Sequence, residues 1–397
     1  MTTAGGEEQT VMTGVWQDVV GQHRAAEVLQ RAAIAGADRD RHAMSHAWLF
    51  TGPPGSGRSN AALAFAAALQ CERRIGCGEC RACRSVMSGN HPDVTSVRTE
   101  KLSIGVDEVR ELVRSAALAP ATGRHQVMVV EDADRVTERG ADALLKSIEE
   151  PAPRTVWILC APTPEDLIVT IRSRCRQLRL VTPSVDAIAD LLVRRDGCDA
   201  ETARLAARAS QGHIGRARAL ARHPEVRERR REVLLLPTRL TSLAACLTAA
   251  QKLVDSTAAE ASRRTGELDK TEAAELAEQL GEGSGKGRRQ RHVAAAFRDL
   301  EEQQKLRSKR LQRDGLASAI SELTAFYRDV MARQLGAAAE PVNPDLMAEV
   351  AQVADASTPE VTVRRLDALE ACMVALEGNV APLLAVEALM VKLGLPA

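Results

Sequence analysis

Residues 52–83 hold two chemically pointed patterns in a row. The first, Gly52-Pro53-Pro54-Gly55-Ser56-Gly57-Arg58-Ser59, has the phosphate-loop spacing of glycine, four residues, glycine, basic residue and hydroxyl. Glycines at such a turn let backbone N–H groups converge on a phosphate, the start of a following helix favours the anion, and Ser59 is placed to hold Mg²⁺. One position departs. Arg58 stands where the pattern has lysine, and a planar guanidinium does not replace a compact ammonium at a crowded phosphate. The second pattern is Cys71, Cys77, Cys80 and Cys83, spaced C-x5-C-x2-C-x2-C with Gly76 and Gly78 among them. Four thiolates fill a tetrahedral Zn²⁺ sphere and leave no position for water, so the spacing predicts a structural metal; reduced surface thiols or disulfides are the alternative. Cys160, Cys175, Cys198, Cys246 and Cys372 are scattered in apolar or helical settings and read as core thiols.

These residues need a scaffold. Residues 46–51 (HAWLFT) form a buried strand ahead of the loop, and residues 60–69, almost pure Ala, Leu and Phe, form a helix after it. Residues 126–130 (QVMVV) are a second apolar strand, ending in Glu131-Asp132-Ala133-Asp134. Acids at a strand's carboxyl edge stand where Mg²⁺ and attacking water sit in a phosphate-loop ATPase; without the phosphate loop, a solvated acidic turn would be the favoured reading. Residues 141–150 are an amphipathic helix stopped by Pro151 and Pro153, and residues 155–160 (TVWILC) are a third buried strand. Strand and helix in alternation predict a parallel sheet with crossover helices.

Composition narrows the class. A length of 397 residues suggests two or three domains. No signal-peptide pattern opens the chain and no apolar run approaches the roughly 20 residues that span a membrane, so a cytoplasmic chain is expected, in which clustered cysteines favour metal over disulfide. With 53 basic and 53 acidic residues there is no whole-molecule attraction to nucleic acid, and 2% aromatics offer little for base stacking.

The motifs together resemble a known family. Val19-Val20-Gly21-Gln22, the phosphate loop, the four cysteines, His91-Pro92-Asp93, residues 131–134, Ala143-Leu144-Leu145-Lys146-Ser147-Ile148-Glu149-Glu150-Pro151 and Ser173-Arg174-Cys175 follow the order seen in clamp-loader subunits of bacterial DNA polymerase III, a group of AAA+ proteins. The likeness is dense over residues 15–225 and leans to the delta-prime branch, with gamma/tau as near relative. It implies an α/β AAA+ core, a small helical lid and an all-α collar, in a pentamer where each ATP lies between neighbours. One subunit supplies loop and acids while the next reaches across with an arginine, the place that Arg174 matches. Four departures from an active ATPase then occur together: Arg58, the order Glu131-Asp132, Ala161-Pro162 at the first sensor, and Gly215 at the second-sensor arginine, with Arg216 adjacent. The expected function is a subunit that hydrolyses ATP poorly, if at all, and lends Arg174 to its neighbour. Its implied partners are gamma/tau, delta, the sliding clamp and primed DNA. A gamma/tau-like active ATPase and an unrelated zinc-knuckle nucleic-acid binder are the alternatives.

The expected layout has a mobile tail at 1–13, the α/β core with its zinc insertion at 14–180, the lid at 181–225, with Gly212 and Gly215 at a turn, and the collar at 226–397. Residues 260–313 interrupt the collar with charge and with a glycine-rich run at 281–287, which predicts a helical hairpin. Arg288, Arg289, Arg291, His292, Lys305, Arg307, Lys309 and Arg310 on it could touch phosphates or a partner, though a solvated hairpin of alternating charge is the favoured reading.

Overall fold

A computed structural model describes residues 12–38, 44–99, 103–280, 288–378 and 380–394. The expected tail up to residue 11, the glycine-rich run at 281–287 and the side chains of Arg288, Arg289, Arg291 and His292 lie outside the described residues. The chain divides into two compact units, one ending at Arg222 and one beginning at His223.

The first unit is built on a parallel sheet. Its helices and strands run α1 (His23–Asp38), β1 (Ala47–Thr51), α2 (Arg58–Gln70), α3 (Arg81–Met87), β2 (Val94–Val97), α4 (Val106–Ala116), β3 (Gln126–Val130), α5 (Glu138–Glu149), β4 (Thr155–Ala161), α6 (Val169–Arg172), β5 (Arg176–Arg179), α7 (Val185–Asp196), α8 (Ala200–Ala209) and α9 (Ile214–Arg222). The five strands lie in the order β2-β3-β4-β1-β5, all parallel. Alternate residues face opposite ways, so Trp48, Phe50, Val129 and Ile158 pack on one side and Leu49, Met128, Trp157 and Leu159 on the other. The apolar strands foreseen near 46–51, 126–130 and 155–160 are the three central ones. β2 (VTSV) and β5 (RQLR) have no apolar run to reveal them, because edge strands have one neighbour and keep polar residues. Helix α2 buries Ala61, Phe65, Ala66 and Leu69 on all sides, which explains why it shows no polar face.

Two local devices fix the cysteine segment and the loop before β3. A 3-10 turn at Gly14–Asp18 buries Trp16, whose Nε1 donates to the Ile75 carbonyl at 2.8 Å, while the Val15 N–H donates to Gly76 O at 2.9 Å. On its other side Arg194 donates to Gln17 O at 2.9 Å and Arg195 pairs with Asp18 at 3.2 Å, so one turn joins the cysteine segment to α7. The second device is Asp93. Its buried carboxylate accepts the N–H groups of Ala121 (2.6 Å), Thr122 (2.9 Å) and Gly123 (2.5 Å) and the Thr122 hydroxyl (3.0 Å), pinning the loop before β3.

Helices α7 to α9 pack as a small bundle in which Asp196 accepts Arg218 in a fork at 2.8 and 2.9 Å. Gly212 turns the chain with φ +89°, but Gly215 is the second residue of α9 and not part of the turn.

The second unit is helical: α10 (Pro224–Leu234), α11 (Leu243–Leu280), α12 (Arg288–Gln334), α13 (Met347–Asp355), α14 (Pro359–Glu377) and α15 (Pro382–Gly394). Its core includes Leu234, Leu316, Leu323, Phe326, Leu369 and Leu389. The charged stretch forms the outer parts of α11 and α12, which run antiparallel: Gln304 donates to Asp269 O at 3.0 Å and Gln312 to Val254 O at 3.3 Å. Arg307, read from sequence as part of a solvated hairpin and a candidate for phosphates, is buried instead and donates to Glu272 (2.9 Å) and Asp269 (2.8 Å) on the facing helix. Arg310 is likewise mostly buried, 3.8 Å from Asp314, which leaves Lys305 and Lys309 exposed. No helix of the described residues is long and apolar enough to cross a membrane.

Candidate functional site

The phosphate-type loop lies between β1 and α2, with Gly57 at φ 94° as the helix N-cap and Arg58 and Ser59 in the first turn. Ser56 is buried, and neither its Oγ nor the buried Nη1 of Arg58 has a hydrogen-bond partner among the described residues. Two orphaned donors at a helix N-terminus suit an anion. Gly52 donates its N–H to Pro162 O at 3.0 Å, so residues 161–162 meet the loop through the backbone, and the Ala161 side chain brings no polar atom.

The acids stand close by without converging. Glu131 accepts the Ser96 hydroxyl at 3.1 Å, on the β2 side of β3. Burial pushes the Asp134 carboxyl up and Asp132 adds to this, while Arg135 and Arg58 oppose it. Cys160, fully buried beneath, is pushed up to about 12 by burial, and it feels both Arg58 and the three acids.

The start of α9 closes on this loop. Ile214 donates its N–H to Gly55 O at 3.2 Å, and a Cβ at Gly55 would run into the backbone and ring of His213. Only glycine, at φ +81°, lets the two segments come this near. His213 Nδ1 accepts the Arg216 N–H at 3.2 Å and so caps α9, which requires a neutral ring; burial, with Arg216 and Arg58 nearby, pulls its pKa down and keeps it so. Gln22 secures the arrangement from beneath. Its Nε2 donates to Ser56 O (3.2 Å) and Val181 O (2.6 Å), and its Oε1 accepts the Val181 N–H at 3.1 Å.

Arg174 lies elsewhere on this unit, after α6. Its Nη2 pairs with Glu149 at 2.6 Å, and its Nη1 donates to Thr170 O (2.9 Å) and Ser173 Oγ (3.3 Å). The Arg174 side chain stays 41% exposed, beside an uncovered apolar pair, Ile168 and Val169, the latter 66% exposed. Cys175 packs inward, its thiol pushed up to about 12 by burial.

The four cysteines come together. Their sulfurs lie within 4.8 Å of one another, Cys71 and Cys77 at 3.7 Å. Zinc–thiolate bonds of about 2.3 Å place sulfurs about 3.8 Å apart in a tetrahedron, so the set fits a metal ion after slight contraction. The backbone N–H groups of Cys77, Cys80 and Cys83 point at the sulfurs of Cys71, Cys77 and Cys80, each at 3.4 Å, as suits thiolates. Burial raises the Cys71 thiol, yet the N–H groups of Cys77, Ile75 and Arg73 outweigh it and bring the pKa down to about 6. Cys198, expected to be a core thiol, is half-buried; Cys160, Cys175, Cys246 and Cys372 are buried.

Residues 21–184, which carry the loop, the cysteines and Arg174, match the family model described as DNA polymerase III, delta subunit. This segment belongs to the DNA polymerase III clamp-loader family. The delta-prime subunit of Pseudomonas aeruginosa is 38% identical over 39% of this chain and 48% of its own length, and that of Bacillus subtilis 33% identical over 50% and 60%. The tau subunit of Bacillus subtilis is 33% identical over 41% of this chain and 28% of its own. The matches thus span from about a quarter to three-fifths of the relatives' lengths. A solved gamma-subunit-related protein from Thermotoga maritima has TM-score 0.40 and 14% identity, covering 93% of this chain and 97% of that one, a likeness too loose to add to the assignment.

Within this segment and the helices α7 to α9 that follow it, three residues take parts that their sequence context does not announce. Gln22 is visible in sequence only as a motif letter, because its partners lie 34 and 159 residues away. His213 carries no signal except the glycine before it. Glu149 belongs to one motif and Arg174 to another, and only the fold makes them neighbours.

Proposed function

We propose that this chain is a delta-prime-type subunit of the DNA polymerase III clamp loader, which works in the cytoplasm to help place the sliding clamp on primed DNA. Its own phosphate loop is degenerate, and Arg174 serves the ATP bound by an adjacent gamma/tau-type subunit, with a delta-type subunit as further partner. The contrast between the two arginines carries this reading: Arg58 lies under a lid seated on Gly55, while Arg174 is presented at the surface next to exposed Val169. A guanidinium reaching a neighbour's γ-phosphate stabilises the charge that grows there during transfer. Cys71, Cys77, Cys80 and Cys83 hold Zn²⁺ in a structural role.

The orphaned Ser56 Oγ and Arg58 Nη1 favour a second reading, a gamma/tau-like subunit whose loop still takes ATP with Gly52, Gly55, Gly57, Arg58 and Ser59, and with Mg²⁺ near Glu131 and Asp132. One experiment separates them. The chain is assayed for ATP turnover alone and after reconstitution with gamma/tau- and delta-type subunits, clamp and primed DNA. Negligible turnover alone, with complex turnover cut about a thousandfold by Arg174→Ala, is expected. Mg²⁺-dependent turnover by the isolated chain that Arg58→Ala abolishes would establish the second reading, and full complex activity with Arg174→Ala would sink the first.

A further inference from the structure

We infer that Glu149 is the positioning residue for Arg174, holding the guanidinium in its delivery pose before any neighbour arrives; this rests on the trans-arginine function proposed for Arg174. Glu149 is the last residue of α5 and is followed by Glu150 as its cap. A helix C-terminus, with its unpaired carbonyls, is the least favourable place for a carboxylate. Here the Arg174 guanidinium, 2.6 Å away, offsets that disadvantage.

Stability does not explain the pair. Both side chains are about 40% exposed (41% and 39%), and ion pairs so open to water contribute little to folding. What the pair does accomplish is geometric. An arginine side chain free in solvent samples many rotamers, and each must be lost when it meets a phosphate; fixing it beforehand removes that loss from the catalytic step. The anchoring is three-sided, through Glu149 from α5, the Thr170 carbonyl from α6 and the Ser173 hydroxyl next in the chain. A guanidinium has five N–H donors, so two remain for phosphate oxygens without undoing the anchor. Thr170 is a backbone acceptor and Ser173 a neighbour in sequence, so both move with Arg174. Glu149 alone ties it to a different element.

The test uses the reconstituted complex with primed DNA and clamp, measuring kcat and KM for ATP together with complex assembly. Glu149→Ala is expected to lower kcat about ten- to hundredfold with KM and assembly unchanged, the loss typical of a misplaced catalytic group. Glu149→Gln, which keeps an acceptor oxygen at the same reach, is expected to recover most of it. In an Arg174→Ala background Glu149→Ala should add nothing. An unchanged kcat with Glu149→Ala, in a complex that Arg174→Ala disables, would overturn the positioning role while leaving the trans arginine intact. Impaired assembly with a normal kcat per assembled complex would overturn it too, by making Glu149 an interface residue. Full activity of Arg174→Ala itself would remove the function on which the inference stands.

Discussion

At the scale of single residues, Asp93 shows how a motif letter becomes a structural part. Its carboxylate gathers four donors from Ala121, Thr122 and Gly123, and although burial alone would raise its pKa, those hydrogen bonds bring it below the usual carboxylate range. Asp93→Asn turns an amide NH₂ toward donors and leaves at least one of them unsatisfied, a loss of about 2–3 kcal/mol. Urea unfolding followed by tryptophan fluorescence should show the lower midpoint at unchanged slope; a midpoint within error of the parent would refute it. In sequence Asp93 is seen only as part of His91-Pro92-Asp93, because its partners lie 28 to 30 residues on. Arg58 is the opposite case. Its mismatch to lysine is plain from spacing, while the lid residue that sits over the same loop is not.

At the scale of elements, legibility follows burial. β1, β3 and β4 are buried throughout and read as apolar runs, whereas β5, with one buried residue in four, looks like surface chain. The cysteine segment is legible because four ligands within thirteen residues need no long-range partner. Its attachment is not, since Ile75 and Gly76 meet the Gly14–Asp18 turn far back in the chain. That attachment yields a prediction. Removing bound metal with a chelator under reducing conditions should raise hydrogen exchange first in residues 71–83 and then in residues 14–18, with the central strands unaffected. Anaerobically prepared protein should carry about one zinc per chain, as four thiolates imply. Metal-free protein with unaltered exchange in both segments would remove zinc from the account.

At the scale of the whole chain, each unit has its own core and its own optical reporter. Trp16, Trp48 and Trp157, the three tryptophans, belong to the first unit, and Tyr327, the single tyrosine, to the second. The first unit also holds His91, His125 and His213, whose pKa values are all lowered, burial being the largest cause in each. A histidine whose folded pKa lies below its unfolded value of about 6.5 adds stability that is present above that value and lost as pH falls through the folded one. In the second unit the lowered groups are carboxylates, Glu260, Glu272 and Glu360, whose contribution persists until pH drops below about 4.3. Thermal stability read from tryptophan should therefore weaken as pH falls below about 6.5. The tyrosine signal should hold over the same range, and parallel loss in both signals would contradict the assignment. The parallel α/β unit followed by helices is legible at this scale from alternating apolar runs. The separate acid response is not, because it depends on which histidines the fold buries.

Gln22 has a consequence for motion. It grips residue 181, and a Cβ at Gly21 would lie 3.2 Å from Pro183, so the segment that leads from β5 to α7 runs close against the core as far as that proline. A swing that lifts His213 off Gly55 would carry α7 and α9 together, because the Asp196–Arg218 fork ties the two helices. The 3-10 turn at Gly14–Asp18, bonded to Arg194 and Arg195 near the far end of α7, would act as a brake on that swing, so the ease of uncovering Gly55 would depend on a turn at the opposite end of the helix.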